Sequence, residues 1–300
     1  MAELELDFPG LRIGVAEYDE GPTGCTVFHF TRGATIERDV RGGSPGISGD
    51  LDWVDAVCFA GGSLYGLEAA AGIAAELFAQ RAYKTDWMSI AAVAGAIIFD
   101  WGPRDSNVYP DKELGRAALR AAREGRLPLG RHGAGRSATV GKTFGFEHAE
   151  PGGQGGAFRA IAATRIAVFT VVNAVGAVVG RDGKVVRGHF DRPTGERRAL
   201  VEGVEERVAG GRPVHPAPGN TTLTLVATNQ QLDRELLRQL GRQVHASMAR
   251  AIHPFHALTD GDVLFAATTN EVENDSLDSV GLGVIASELA WDAVLAAVAD

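Results

Sequence analysis

Pro218-Gly219-Asn220-Thr221-Thr222-Leu223-Thr224-Leu225 runs a loop straight into a strand, and the reading of the whole chain turns on this junction. Upstream, residues 210–220 (GGRPVHPAPGN) carry too much proline and glycine for regular structure. Downstream, residues 221–228 read as a strand. A strand that opens on threonine is ordinary, because β-branched residues suit a pleated backbone, so locally the junction shows no more than a strand start.

Beyond that strand lies an amphipathic helix with Leu236, Leu240, Val244 and Met248 on one stripe, then a strand over residues 262–269 and a last helix over about 279–297. Before the junction, a helix over about 197–209 follows a hairpin-like pair, 165–172 and 175–181, with an Asp182-Gly183 turn before Val185. Residues 130–156 are glycine-rich and polar, the kind of loop in which function often sits. Asp111 is placed to cap a helix running to about Glu124, and residues 91–100 form a near-continuous apolar strand. Leu64, Leu67, Ala71, Ala74 and Phe78 recur at helical spacing, which predicts a buried helix over 64–80. The first sixty residues break into strands at 11–16, 25–30, 35–40 and 54–60. Strands and helices mix without βαβ alternation, which predicts an α+β fold, an antiparallel layered sandwich.

Three hundred residues with 45% hydrophobic content can bury a sizeable core. A net charge of -9 and a pI near 5.4 oppose a nucleic-acid surface, which needs clustered Lys and Arg, so the expected ligand is a small molecule or peptide-like chain. The acidic start, Met1 to Glu5, lacks the features of a secretory signal, and a cytoplasmic protein is expected. The longest apolar run, residues 166–180, is broken by Asn173 and is shorter than the roughly 20 residues of a membrane span. Cys25 and Cys58 read as reduced, buried thiols.

Familiar site motifs mostly fail. Between Gly135 and Gly141 stand five residues where a phosphate-binding loop needs four, and no apolar strand precedes them, which leaves Lys142 as a solvated loop lysine. Gly61-Gly62-Ser63-Leu64-Tyr65 has Tyr65 where a nucleophile elbow needs glycine, so Ser63 reads as a helix cap. His245, His253 and His256 lack metal-ligand spacing, and neither metal nor cofactor is expected.

Asp7-Phe-Pro-Gly10, Glu20-Gly-Pro-Thr-Gly24, Ala60-Gly-Gly62, Tyr65-Gly-Leu-Glu68, Val108-Tyr-Pro-Asp-Lys112, Gly219-Asn-Thr-Thr222 and Asp260-Gly-Asp262 occur in this order. Along nearly its full length the chain thereby resembles the self-processing L-aminopeptidase/D-esterase family, and within it the nylon-oligomer (6-aminohexanoate-oligomer) endohydrolases. The resemblance implies a layered αββα fold of the N-terminal-nucleophile kind and a single hydrolase domain, residues 1–300. It also implies self-cleavage between Asn220 and Thr221 into fragments 1–220 and 221–300. Thr221 is then the nucleophile, with Lys142, Asn173, Asp260 and Asp262 around it. The chemistry agrees: as a chain terminus, Thr221 would have an α-amine of pKa about 7.7 to 8.0 that can act as base on its own Oγ.

Asn173 would offer its NH2 to an oxyanion, or merely cap a turn. Lys142 would keep the Thr221 amine neutral and bond its hydroxyl, while Asp260 and Asp262 would orient both groups, unless Asp-Gly-Asp is only a turn. Thr221 with Asp260-x-Asp262 fits the nylon-oligomer branch, whereas the aminopeptidase branch has serine and Ser-x-Glu. Phe99 stands where that branch has tyrosine, placing it as a substrate-binding residue that affects specificity. Linear amides or amide oligomers are the implied substrates, with association of the two fragments and a homotetramer implied by the same relatives. An L-aminopeptidase or β-peptidyl aminopeptidase, or an uncleaved binding protein, are the alternatives.

Overall fold

The computed structural model describes residues 2–299. Its principal elements are β1 (Leu11–Tyr18), β2 (Thr23–Val40), β3 (Trp53–Ala60), α1 (Leu67–Gln80), β4 (Val93–Ile97), α2 (Lys112–Ala121), β5 (Gly153–Ile161), β6 (Thr164–Asn173), β7 (Ala177–Val179), α3 (Leu200–Ala209), β8 (Thr221–Gln230), α4 (Arg234–Ser247), β9 (Val263–Val272) and α5 (Ser279–Ala296). Successive strand side chains point to opposite faces, and here both faces of each long strand are apolar. β6 sends Ala167, Phe169 and Val171 to one core and Ile166, Val168 and Val172 to another. β8 and β9 divide in the same way, Leu223, Leu225, Val263 and Phe265 against Val226, Leu264 and Ala266. β2 and β3 add Phe28, Phe30, Val57 and Phe59 to that first core and turn Cys25, Val27, Ala56 and Cys58 into a third.

The first core lies between two strand layers, where Phe28 stacks on Phe169 with ring centroids 4.8 Å apart. Helices α4 and α5 close the second core, and α1 and α2 close the third. The result is the expected αββα layering of an α+β fold. Both layers belong to one continuous sheet, ordered β5-β6-β8-β9-β2-β3-β4, in which only β8–β9 and β3–β4 among these neighbours run parallel. β2 makes the link. Its first part pairs with β1 and β3 and its last part with β9, so the two strands expected at 25–30 and 35–40 are one strand of 18 residues.

The hairpin expected at 165–172 and 175–181 lies one strand earlier, between β5 and β6. Its first strand is hidden in the sequence by glycines. A Cβ at Gly153 would sit 2.4 Å from Ala297 O and one at Gly155 2.0 Å from Ala293 O, so these glycines admit α5 against the strand rather than form a loop. After Asn173 the chain leaves the large sheet, and β7 joins a small sheet with Val185–Arg187 and Ile252–His253. Ser63 opens a short 3-10 turn capped by Gly62 without a side-chain bond, so it is not a helix cap, and α1 begins only at Leu67. α3 likewise begins at Leu200, and α4 buries Leu237 where Leu236 was expected. Asp111 does cap α2, accepting from Leu114 N at 2.9 Å. Cys25 and Cys58 are free and buried. α5 is long and apolar enough to cross a membrane, with mean hydropathy 1.4, but it packs on β5, β6 and α4.

Candidate active site

Three chain segments meet at Thr221. β6 runs antiparallel to β8, so its last residue, Asn173, lies opposite Thr221. β9 runs parallel to β8, and the residues leading into it, Asp260 to Asp262, therefore stand beside the start of β8. A bridge between Asn220 and Asp260 carries the parallel pairing upstream of the strand. It has a chemical consequence at the uncut peptide bond: the Gly261 N–H donates to the Asn220 carbonyl oxygen at 2.8 Å. The Thr221 hydroxyl donates to the same oxygen at 2.5 Å. A hydroxyl thus lies on the carbonyl of the bond it would break, and a fixed backbone donor polarises that carbonyl. Any larger residue at position 261 would intrude, since a Cβ there would be 2.7 Å from both Thr221 Oγ1 and Ser44 O. Side-chain reasoning from the sequence passes over this glycine entirely.

Asn173 is fully buried and saturated. Its Nδ2 donates to Phe99 O at 3.0 Å and to Gly219 O at 3.1 Å, while its Oδ1 accepts from Thr139 N at 2.9 Å. In the uncut chain the amide therefore holds the carbonyl next to the scissile one. Lys142 is also buried rather than a solvated loop lysine, with Nζ donating to Asn173 O at 3.1 Å and Asn173 Oδ1 at 3.2 Å. No bond from it reaches Thr221 here. Its backbone is fixed by Lys142 N donating to Val175 O at 2.7 Å and Ala217 N donating to Lys142 O at 3.1 Å, which ties the lysine to the loop before the junction. Removal from water disfavours the ammonium and pushes its pKa down to about 7.

Asp260 shows the opposite effect, because burial and then the charge of Asp262 push its carboxyl up to about 7. Its Oδ1 accepts from Val175 N and its Oδ2 from Ala257 N, both at 3.2 Å. Asp262 accepts from Thr222 N at 2.7 Å through Oδ1, and from both His256 N and His256 Nδ1 at 3.0 Å through Oδ2. The two carboxylates thus fix backbone around Thr221 and do not touch its hydroxyl in the uncut chain. His256 is a second residue missed from sequence, where the absence of metal spacing had set the histidines aside. Phe99 packs its ring on the junction: a Cβ on Gly219 would lie 2.4 Å from Phe99 Cδ1, and Gly219 itself has φ +79. Among the described residues no cluster of three or more His, Cys, Asp and Glu side chains could hold a metal ion.

Residues 6–300 match peptidase family S58. A 6-aminohexanoate-oligomer endohydrolase from Agromyces sp. (strain KY5R) is 45% identical, covering 98% of this chain and 85% of the relative. The protein of that name from Paenarthrobacter ureafaciens gives the same identity and coverage. Among solved structures, the L-aminopeptidase D-Ala-esterase/amidase from Ochrobactrum anthropi, described as a variant of the Ntn hydrolase fold, superposes with a TM-score of 0.74 at 16% identity. That match covers 98% of this chain and 85% of the other.

Gly261→Ala is expected to slow self-cleavage on the order of 10²-fold while leaving the fold intact, because the added methyl displaces the Thr221 hydroxyl from the Asn220 carbonyl. Time-resolved intact-mass measurement with circular dichroism reads both effects, and wild-type cleavage in a folded variant would contradict the assignment. For Lys142, the folded chain sheds a proton that the unfolded chain keeps between about pH 7 and the ordinary lysine value of about 10.4. Its contribution therefore makes stability rise with pH across that window and fall as pH drops through 7. On an uncut Thr221→Ala background, Lys142→Met should flatten the gain in unfolding free energy from pH 7 to pH 9 by roughly 2 kcal/mol. Urea titrations at the two pH values check this, and identical slopes would refute it.

Proposed function

Because the chain belongs to peptidase family S58, we propose that it cleaves itself after Asn220 and then hydrolyses internal bonds of linear amide oligomers, 6-aminohexanoate oligomers above all, through Thr221. The observation that carries the reading is the junction, where the Thr221 hydroxyl and the Gly261 N–H converge on the Asn220 carbonyl oxygen. The names of the two endohydrolase relatives support the choice of substrate.

In self-cleavage, Thr221 Oγ attacks the Asn220 carbonyl carbon, the C–N bond breaks, and the Thr221 nitrogen leaves as an amine carrying the hydroxyl's proton. Water then hydrolyses the resulting ester and leaves Asn220 with a carboxylate. The freed amine becomes the base for its own hydroxyl. A substrate amide whose oxygen takes the place of the Asn220 oxygen meets the same Gly261 donor, forms an ester on Thr221, and loses its amine half. Water completes the cycle. Lys142, its pKa lowered to about 7 by burial, favours a neutral Thr221 amine through like-charge repulsion in so far as it is protonated. Asn173 can turn its NH2 toward the oxyanion once Gly219 is free to move. Asp260 and Asp262 position the backbone on either side.

The fragments remain together in this reading because both strands of the smaller one pair with strands of the larger, β8 with β6 and β9 with β2, all within the large sheet. Self-association into a tetramer belongs to the same proposal, and Trp87 and Met88, each 87% exposed, offer apolar surface for it. Denaturing mass measurement should find fragments 1–220 and 221–300 in the wild type and one chain in Thr221→Ala, and native mass measurement should find tetramers of paired fragments. A single 300-residue wild-type species would refute self-cleavage. For substrate, the processed enzyme should hydrolyse an N-terminally blocked aminohexanoate oligomer. Survival of that oligomer beside rapid hydrolysis of aminoacyl p-nitroanilides would make the protein an aminopeptidase instead.

A further inference from the structure

Phe99 lies against Gly219, on the acyl side of the scissile bond, and its ring begins a run of aromatic side chains. Phe99 and Trp101 meet edge to face with centroids 5.9 Å apart, Trp101 and Tyr65 lie 5.8 Å apart, and Tyr65 and Tyr109 lie 5.7 Å apart. Tyr65 remains 64% exposed. The frame beneath is rigid. Asp100, fully buried, accepts from Thr23 Oγ1 at 2.6 Å and Gly62 N at 2.9 Å and pairs with Arg104 at 2.8 Å. The Arg104 guanidinium in turn lies 5.5 Å over the Trp101 ring. Rings held this way lose little entropy when a ligand covers them, and the run presents Tyr65 exposed and the other three rings half-buried.

The run ends on a charge. Tyr109 OH donates to Glu68 Oε2 at 3.0 Å, which orients the carboxylate, and among the described residues no lysine or arginine pairs with it. We infer that Tyr65, Trp101 and Tyr109 carry the aliphatic spacers of the acyl half of a bound oligomer away from Thr221, and that Glu68 receives the ammonium at its amino terminus. The polarity is consistent, since the acyl half of such an oligomer is the half that bears the free amine. Methylene groups cover the ring faces, and the ammonium, compact and strongly hydrated, stays at the exposed carboxylate. Glu68 stands beyond the rings rather than at the scissile bond, so this subsite assists binding without restricting cleavage to the first residue. The inference rests on the amide-oligomer reading above.

Steady-state kinetics on the self-cleaved protein, with a linear 6-aminohexanoate oligomer and its N-acetyl form, test it. Glu68→Gln should raise KM for the free-amine oligomer about three- to fivefold, as befits an exposed ion pair, and leave kcat and the acetylated substrate unchanged. Tyr65→Ala should raise KM for both substrates. Equal effects of Glu68→Gln on the two substrates, or none, would overturn the ammonium site, and unchanged KM in Tyr65→Ala would overturn the aromatic track. Failure of the wild type to cleave either oligomer removes the substrate reading itself, and this inference with it.

Discussion

The hydrogen bond from the Gly261 N–H to the Asn220 carbonyl is the constraint on which the site depends. It is a rung of the parallel pairing between β8 and β9, and that pairing is set by apolar residues that take no part in the chemistry. Leu223 faces Val263 and Leu225 faces Phe265, all four in the core between the strand layers. A slip of one residue would turn them all to the wrong face, so the inner core fixes the register. The register then places Thr221 beside Gly261. Packing energy spread over two strands is converted into the position of one hydroxyl.

The same arrangement explains why so many polar groups sit where water does not reach. Lys142, Asn173, Asp260 and Asp262 are each at most 2% exposed, and an unpaired charge in such a place is strongly destabilising. The fold answers with backbone. Val175, Ala257 and Thr222 give N–H donors to the carboxylates, and the carbonyl of Asn173 accepts from Lys142. What remains is relieved by titration, as the lysine falls and Asp260 rises toward the same neutral value. Burial thus lowers the charge that each of these two groups carries near pH 7.

Much of this was legible in the sequence, for identifiable reasons. Strands such as 221–228 were found because loop chemistry ends at them, and Asp111 because a capping side chain has a fixed offset from the helix it serves. The layered architecture followed from the mixture of elements, and the site residues came from the family resemblance rather than from local pattern. The misses share a cause. Gly153, Gly155 and Gly261 matter through the absence of a side chain, and the neighbour that requires that absence is distant in sequence. β2 read as two strands because Thr31 to Gly33 looks like a turn, while its pairing with both layers carries it through. Leu237 displaced Leu236 because the buried stripe of α4 is decided by the direction of approach to the sheet, which periodicity alone leaves free within one residue.

The segment ahead of Thr221 also gives a picture of the proposed substrate. In this structure Gly219 and Asn220 lie on the acyl side of the Asn220–Thr221 bond, with Phe99 on the first and Gly261 on the second. In the proposed function the chain is its own first substrate, so a later amide should place its carbonyl where Asn220 had one and its acyl chain where Gly219 lay. Only a residue without a side chain fits against Phe99 in the uncut protein. The corresponding part of a good substrate should likewise be unbranched, which a methylene spacer is and the α-carbon of most peptides is not. A phenol at position 99 would bring a polar group to that wall, whereas the phenylalanine presents an apolar ring. The preference for aliphatic spacers is thus anticipated in the contact that the uncut chain makes with itself.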